Sequence, residues 1–411
     1  MEQTKYLIIG GGVAGTTAAE TIREKDKEAR IIIISDEPYP LYSRVLLTKP
    51  NFFMGKIPFD KIWLKDEDWY KEQNIELWAG KSACKLDPQG KIVTLDDGSQ
   101  LAYEKLMLGV GGKVRKLEVP GADKQGIFYL RTVDDTQAII DAIKQAKKGV
   151  VVGGGIIGFE MAEMLEMTGV ETTFVLRMDH YREPLLGIEC SEIVEERIKK
   201  QGVSIMCSNE VVEVLGDEKI TGVKLKNGEQ LDCDILIIGI GCIVPFSWLK
   251  QAGLETDRGI VANEYLETNL PDVWAAGDGV EFLDIIINEK VMYGNWSNAQ
   301  KQGERAALNM TGEHEPFKTV TFFQTHGFGV VMTYVGDVRP AADREIIQRG
   351  HFGDDIQERM FIKDNKLVGA LLINAPQYMG IYSKIIESQV DLAPYKDKLA
   401  DAHWDIEKIF K

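Results

Sequence analysis

Two glycine clusters carry the clearest chemical signal in this chain. Gly10, Gly12 and Gly15 spell GxGxxG directly after the apolar run KYLIIG, and Gly153, Gly155 and Gly158 spell it again after GVVV. A glycine loop at the mouth of a helix presents backbone N–H donors with no side chain in the way, which suits a pyrophosphate. After the first loop, Ala14, Ala18, Ala19 and Ile22 fall on one helical face, and the strand IIIIS ends in Asp36 and Glu37. Asp36 lies 21 residues beyond Gly15, close to the ~20 at which a strand-end acid meets ribose hydroxyls. One of the two acids takes that role and the other is a solvated surface acid. One GxGxxG is weak evidence for a nucleotide site; two, each in strand–turn–helix context, are much stronger.

Just past that acid-bearing strand comes PLYSRVLLTKP (40–50), a basic, aromatic turn without a cysteine. Taken by themselves, Lys49 in this turn is an exposed lysine and Glu160, in GGIIGFE, a helix-surface acid.

The elements that position these residues form a repeat. LDDGSQLAYEKLMLGVG (95–111) and LKNGEQLDCDILIIGIG (225–241) match at a constant offset of 130, including Gly111 against Gly241. Each reads as a hairpin turned at Asp-Gly or Asn-Gly, then a buried strand ending at glycines. Coincidental turns would not hold one register, so two domains share one plan. From about Pro316 the texture changes to strands followed by an amphipathic helix, without a third glycine fingerprint, which predicts a smaller α+β domain.

Composition sets limits. The 411 residues, 44% hydrophobic, suffice for two or three cores. With 48 basic against 64 acidic residues the charge is −16, which argues against binding nucleic acid or an anionic membrane through the general field. The longest apolar runs fall far short of a bilayer span and read as buried parallel strands. The start, MEQTKYLIIGGG, shows no charged-then-apolar leader, so no secretory signal is expected. Cys84, Cys190, Cys207, Cys233 and Cys242 are scattered without CxxC or metal-ligand spacing, which predicts reduced, mostly buried thiols in a cytoplasmic protein and no metal site.

The arrangement resembles the FAD-dependent pyridine nucleotide oxidoreductases with two dinucleotide-binding domains. GGGVAG, LMLGVGGKVRKL, GGGIIGFEMAE, LIIGIGCIVP and VWAAGDGV carry the likeness. PLYSRVLLTKP, NWSNAQKQG, FFQTHGFG and LVGALLINAP resemble the branch holding rubredoxin, ferredoxin and putidaredoxin reductases, the nitrite reductase flavin domain and apoptosis-inducing factor. The resemblance implies an α/β fold with two Rossmann-like domains in three layers plus the C-terminal α+β domain. It places FAD on residues 1–113 and 245–316, NAD(P)H on 114–244, and an interface domain at 317–411. By the same resemblance Asp278, after Gly277 in AAGDG and near a helix N-terminus, reaches the ribityl and pyrophosphate region; a plain helix N-cap is its structural alternative. Arg115 is the arginine on the FAD side, Trp296 packs near the flavin ring, and Arg44 contacts FAD phosphates or the ring edge. Lys49 then stands beside the isoalloxazine, paired with Glu160, and the hydride passes next to that pair.

The departures matter as much. Disulfide-reducing relatives carry a CxxxxC, or one cysteine, in the turn that here holds none, so electrons must leave the flavin directly. A small redox protein or permanent partner subunit is the leading acceptor. The alternatives are oxygen, quinone or nitrite as acceptor, or a slow redox-sensing or assembly protein; homo-oligomerisation stays open. The strand after the second loop ends FVLRMDHYRE, with Leu176 where NAD-specific relatives place an acid. Arg177 and Arg182 there favour NADPH through a ribose 2′-phosphate, while Asp179 could serve NADH. Val110 replaces a common threonine, leaving FAD one hydrogen bond fewer.

Overall fold

The computed structural model describes residues 1–350 and 355–410, which divide into two compact units. The first unit comprises Met1–Ser43, Asp60–Lys113 and Ile243–Thr321. Its main sheet is parallel through Glu76–Ala79, Ile31–Ser35, Glu2–Ile9 and Gln100–Leu108. Gln100–Leu108 is long enough to do two jobs. Its beginning pairs antiparallel with Ile92–Leu95, which continues to Ala83–Asp87, and its end pairs parallel with Val273–Ala275. All five residues of Ile31–Ser35 are buried, as a continuous apolar run in a parallel sheet should be. The helix Val13–Lys25 buries Ala14, Ala18, Ala19 and Ile22, the face expected from its spacing.

The second unit comprises Arg44–Phe59, Val114–Cys242 and Phe322–Lys411. Its parallel sheet runs Ser204–Met206, Glu171–Val175, Lys148–Val152, Ile235–Ile238, Ile127–Tyr129. The expected repeat is present, with one break. Asp97-Gly98 and Asn227-Gly228 both turn hairpins on a positive-φ glycine. In the second copy, however, the long strand is split. Gln230–Asp232 stays in a three-stranded antiparallel sheet and Ile235–Ile238 joins the parallel one. Valines and leucines from both sheets share a core with the buried Cys233.

The C-terminal segment forms a five-stranded antiparallel sheet, ordered Phe322–Gly327, Val330–Gly336, Lys366–Ile373, Gln357–Lys363, Glu345–Arg349. The helix Met379–Ser388 buries Tyr382, Ile385 and Ile386. Fold class is therefore α/β with an α+β C-terminal portion. PLYSRVLLTKP is more ordered than a turn. Arg44–Thr48 is a 3₁₀ helix, and Pro50 at the first helical position starts the short helix Pro50–Phe53 with Lys49 as its N-cap. Among the described residues no helix is long and apolar enough to cross a membrane.

Candidate active site

Each glycine of the two loops has its own physical reason. At Gly10 (φ +117°) a Cβ would lie 2.1 Å from the Gly109 carbonyl oxygen, and at Gly15 it would lie 1.9 Å from the Gly10 carbonyl oxygen. Gly153 (φ +112°) and Gly158 meet Gly239 and Gly153 in the same way, at 2.3 and 2.0 Å. Gly12 differs. Its φ of −74° suits any residue, and a Cβ there would touch no protein atom within 4 Å. Gly155 would meet only the Gly239 carbonyl oxygen, at 3.8 Å. The chain itself does not need glycine at these two middle positions. Both are N-caps of helices, Val13–Lys25 and Ile156–Met167, that have neither a side-chain cap nor an acid in the first turn. Open space in front of uncapped N–H groups fits a phosphate-bearing cofactor, so the residues present suit FAD and a nicotinamide dinucleotide.

The strand ends beside the loops are opposite in charge. Ile9 pairs with Ile34 and Val152 with Val175, so register sets Ser35 against Leu176 and Asp36 against Arg177. Leu176 is buried beneath the second loop, 3.4 Å from where Gly154 would place a Cβ, as Ser35 lies beneath Gly11. The position assigned to an acid is thus a packing position, and Arg177 is the counterpart of Asp36. Arg177 is exposed and has no salt bridge or hydrogen bond among the described residues. Arg182 does something else, with its guanidinium 5.4 Å from the Tyr334 ring centroid. Asp179 accepts a hydrogen bond from the Ser208 hydroxyl. Asp36 is exposed, 4.0 Å from Lys113 Nζ. Glu37 accepts a hydrogen bond from the Tyr42 hydroxyl, a contact that ties the acid to PLYSRVLLTKP.

Lys49 Nζ donates to Glu160 Oε1 at 2.6 Å. Glu160 lies on the helix behind the second loop and is 4% exposed, so it is not the surface acid its isolated spacing suggested. The Thr325 hydroxyl, fully buried, donates to the same oxygen at 2.7 Å. One helical turn on, Glu163 accepts the Phe328 backbone N–H, and burial raises its carboxyl above the usual range. Thr325 and Phe328 fall within FFQTHGFG and Glu163 within GGGIIGFEMAE, but no spacing in the sequence marks any of them as a site residue.

Gly277 (φ +96°) donates its N–H to Gln302 Oε1 and approaches Ala14, at the start of the first loop helix. Asp278 sits in a turn between the strands Val273–Ala275 and Val280–Asp284, so there is no helix for it to cap. Trp296 opens the helix Trp296–Met310, whose cap is Asn295, and its ring is part-exposed rather than in the core. Arg44 donates to the Arg131 carbonyl oxygen at 2.8 Å, and the Arg115 backbone N–H donates to that of Gly241 at 2.9 Å; the Arg115 side chain is exposed. Gly111 and Gly241 both take positive φ. The cysteines are all free, but not mostly buried as composition suggested. Cys84 and Cys242 are exposed, Cys207 is intermediate, and only Cys190 and Cys233 are buried. No metal-holding cluster occurs among the described residues.

The chain is similar to known proteins along nearly its whole length. The chain is 29% identical over 408 residues to the 5,5'-dehydrodivanillate O-demethylase ferredoxin reductase subunit of Sphingobium, covering 98% of this chain and 97% of that one. It is 28% identical to the nitrite reductase [NAD(P)H] of Bacillus subtilis over 96% of its own length, but spans only 48% of that protein. A solved ferredoxin reductase from Rhodopseudomonas palustris superposes with a TM-score of 0.90 at 27% identity, covering 98% of this chain and 99% of that one. Residues 4–303 match the model of the pyridine nucleotide-disulphide oxidoreductases. The chain belongs to that family, and is an oxidoreductase that uses FAD and NAD(P)H.

Proposed function

We propose that this protein carries electrons from NAD(P)H through FAD to a small iron–sulfur or rubredoxin-type protein. The observation that carries the proposal is at Lys49. Where disulfide-reducing relatives keep thiols, this chain places a lysine paired with a buried carboxylate, and all its cysteines are free. Full-length similarity to a ferredoxin reductase subunit supports the same acceptor class. Residues 1–113 with 245–316 would hold FAD, through Gly10, Gly12, Gly15, Asp36 or Glu37, Gly277 and Asp278. Residues 114–244 would hold the nucleotide through Gly153, Gly155, Gly158 and Arg177, and 317–411 would supply the interface. Free thiols fit a cytoplasmic setting.

Bound FAD would supply hydride acceptance from the nicotinamide and single-electron release to the carrier. The Lys49 ammonium would favour the negative charge that reduction brings, and Glu160 holds that ammonium in place. Arg177 favours NADPH, because an exposed guanidinium free of carboxylates suits a 2′-phosphate. Arg182, stacked on Tyr334, is withdrawn from that role.

The test is steady-state turnover of the flavin-loaded protein with either nucleotide, offering a [2Fe-2S] ferredoxin, a rubredoxin or oxygen. Carrier reduction at least about tenfold faster than oxygen consumption is expected. Oxygen as the faster acceptor would overturn the proposal.

A further inference from the structure

We infer that Thr325 is a positioning residue for the flavin site, its hydroxyl holding the Glu160 carboxylate in the orientation that pairs with Lys49. The inference rests on the role proposed above for the Lys49–Glu160 pair. Two donors converge on one oxygen, Lys49 Nζ at 2.6 Å and Thr325 Oγ1 at 2.7 Å. No described residue bonds the other oxygen, Oε2, so the carboxylate is fixed from one side only.

The two donors are not equally rigid. Lys49 is a long side chain, 30% exposed, on the residue between the 3₁₀ segment Arg44–Thr48 and the helix Pro50–Phe53. Thr325 is fully buried within the strand Phe322–Gly327, in register with Met332 of the next strand, and its β-branched side chain has few rotamers. The threonine is therefore the anchor and the lysine the group being aimed. The surrounding contacts hold the helix carrying Glu160 against the same hairpin. Phe159 packs edge-on to Phe328 at 5.2 Å between centroids, and a Cβ at Gly327 would come within 2.5 Å of the Phe159 ring. Glu163 receives the Phe328 N–H one turn along the helix. A hairpin of the C-terminal sheet, far from either glycine loop in sequence, thus sets the geometry of the charge pair.

Without the hydroxyl, the buried carboxylate keeps one mobile donor and can turn away from Lys49. The limiting rate of flavin reduction should then fall by about tenfold, the worth of one hydrogen bond to a charged group. Half-saturation by the nucleotide should stay within about twofold.

The experiment is anaerobic stopped-flow reduction of the flavin-loaded protein by NADPH and by NADH in Thr325→Val, Thr325→Ser and Glu160→Gln. The expected result is a slow Thr325→Val, with Thr325→Ser restored to within about twofold of the parent. A parental rate in Thr325→Val, or equal slowing in Val and Ser, would overturn the inference. Glu160→Gln separates the two levels. Slowed Glu160→Gln with a parental Thr325→Val removes only the hydroxyl's part, whereas a parental Glu160→Gln removes the role of the pair itself. Should Thr325→Val not retain flavin, Thr325→Ala against Thr325→Ser gives the same comparison, with alanine slow and serine fast.

Discussion

At Gly10 a side chain would lie 2.1 Å from the carbonyl oxygen of Gly109; at Gly153 it would lie 2.3 Å from that of Gly239. Gly15 and Gly158 repeat the agreement, at 1.9 and 2.0 Å from the glycine that opens each loop. The backbone requirements of the two loops are thus nearly the same. Beside them, at equal register, stand Asp36 and Arg177. The difference separates two layers of meaning within one motif. First and third glycines answer to the protein's own backbone; in the function proposed above, the middle glycine answers to a ligand and the strand-end side chain selects which one. On that proposal, the shared geometry suits a pyrophosphate at both loops, and the unlike strand ends suit two different cofactors.

Substitution at the backbone-limited glycines should break the comparison most severely. Gly15→Ala is expected to yield protein without flavin. Gly158→Ala should yield protein that keeps its flavin and is reduced by dithionite, while NAD(P)H reduces it at least about a thousandfold more slowly. Absorbance near 450 nm with each reductant reads both. Flavin loss in Gly158→Ala alone would reverse the assignment of the loops.

Next in size is Lys49→Met. Removing one partner of a mostly buried charge pair should slow flavin reduction by about a hundredfold and lower stability by about 3 kcal/mol. Stopped-flow rates and thermal melts measure these separately. At the second strand end, Arg177→Leu should weaken NADPH binding by about tenfold and leave NADH nearly unchanged, as loss of a charge-assisted hydrogen bond to phosphate requires. Equal weakening of both nucleotides would mean that Arg177 does not read the 2′ position. The smallest effect belongs to the middle glycines. Gly12→Ala and Gly155→Ala should melt within about 2 °C of the parent, since no protein atom is displaced, yet bind flavin or nucleotide several-fold more weakly. Calorimetry beside ligand titration checks the pair.

What could be read from sequence follows the same layering. The glycine loops and the hairpin repeat are local, and backbone conformation imposes their residue types, as at Gly98 and Gly228, both at positive φ. Lys49 and Glu160 are 111 residues apart, and nothing local marks either as buried or paired. Only a family resemblance brought them together. Thr325 lies 165 residues from Glu160 and has no distinguishing pattern, because a buried threonine in a strand is ordinary. The resemblance sets Leu176 at the acid position, whereas the strand pairings make Arg177 the register counterpart of Asp36. The exposed cysteines were equally illegible, since exposure at Cys84 and Cys242 depends on which way short strands face.

The central claim is that electrons entering this protein meet a flavin and no thiol. Anaerobic titration of the oxidised, flavin-loaded protein with NADPH and NADH, followed to the end point at 450 nm, tests it most directly. The account predicts full reduction after two electrons per flavin, with no further uptake. Uptake of four electrons per flavin would contradict it, because the second pair could reside only on a redox-active disulfide.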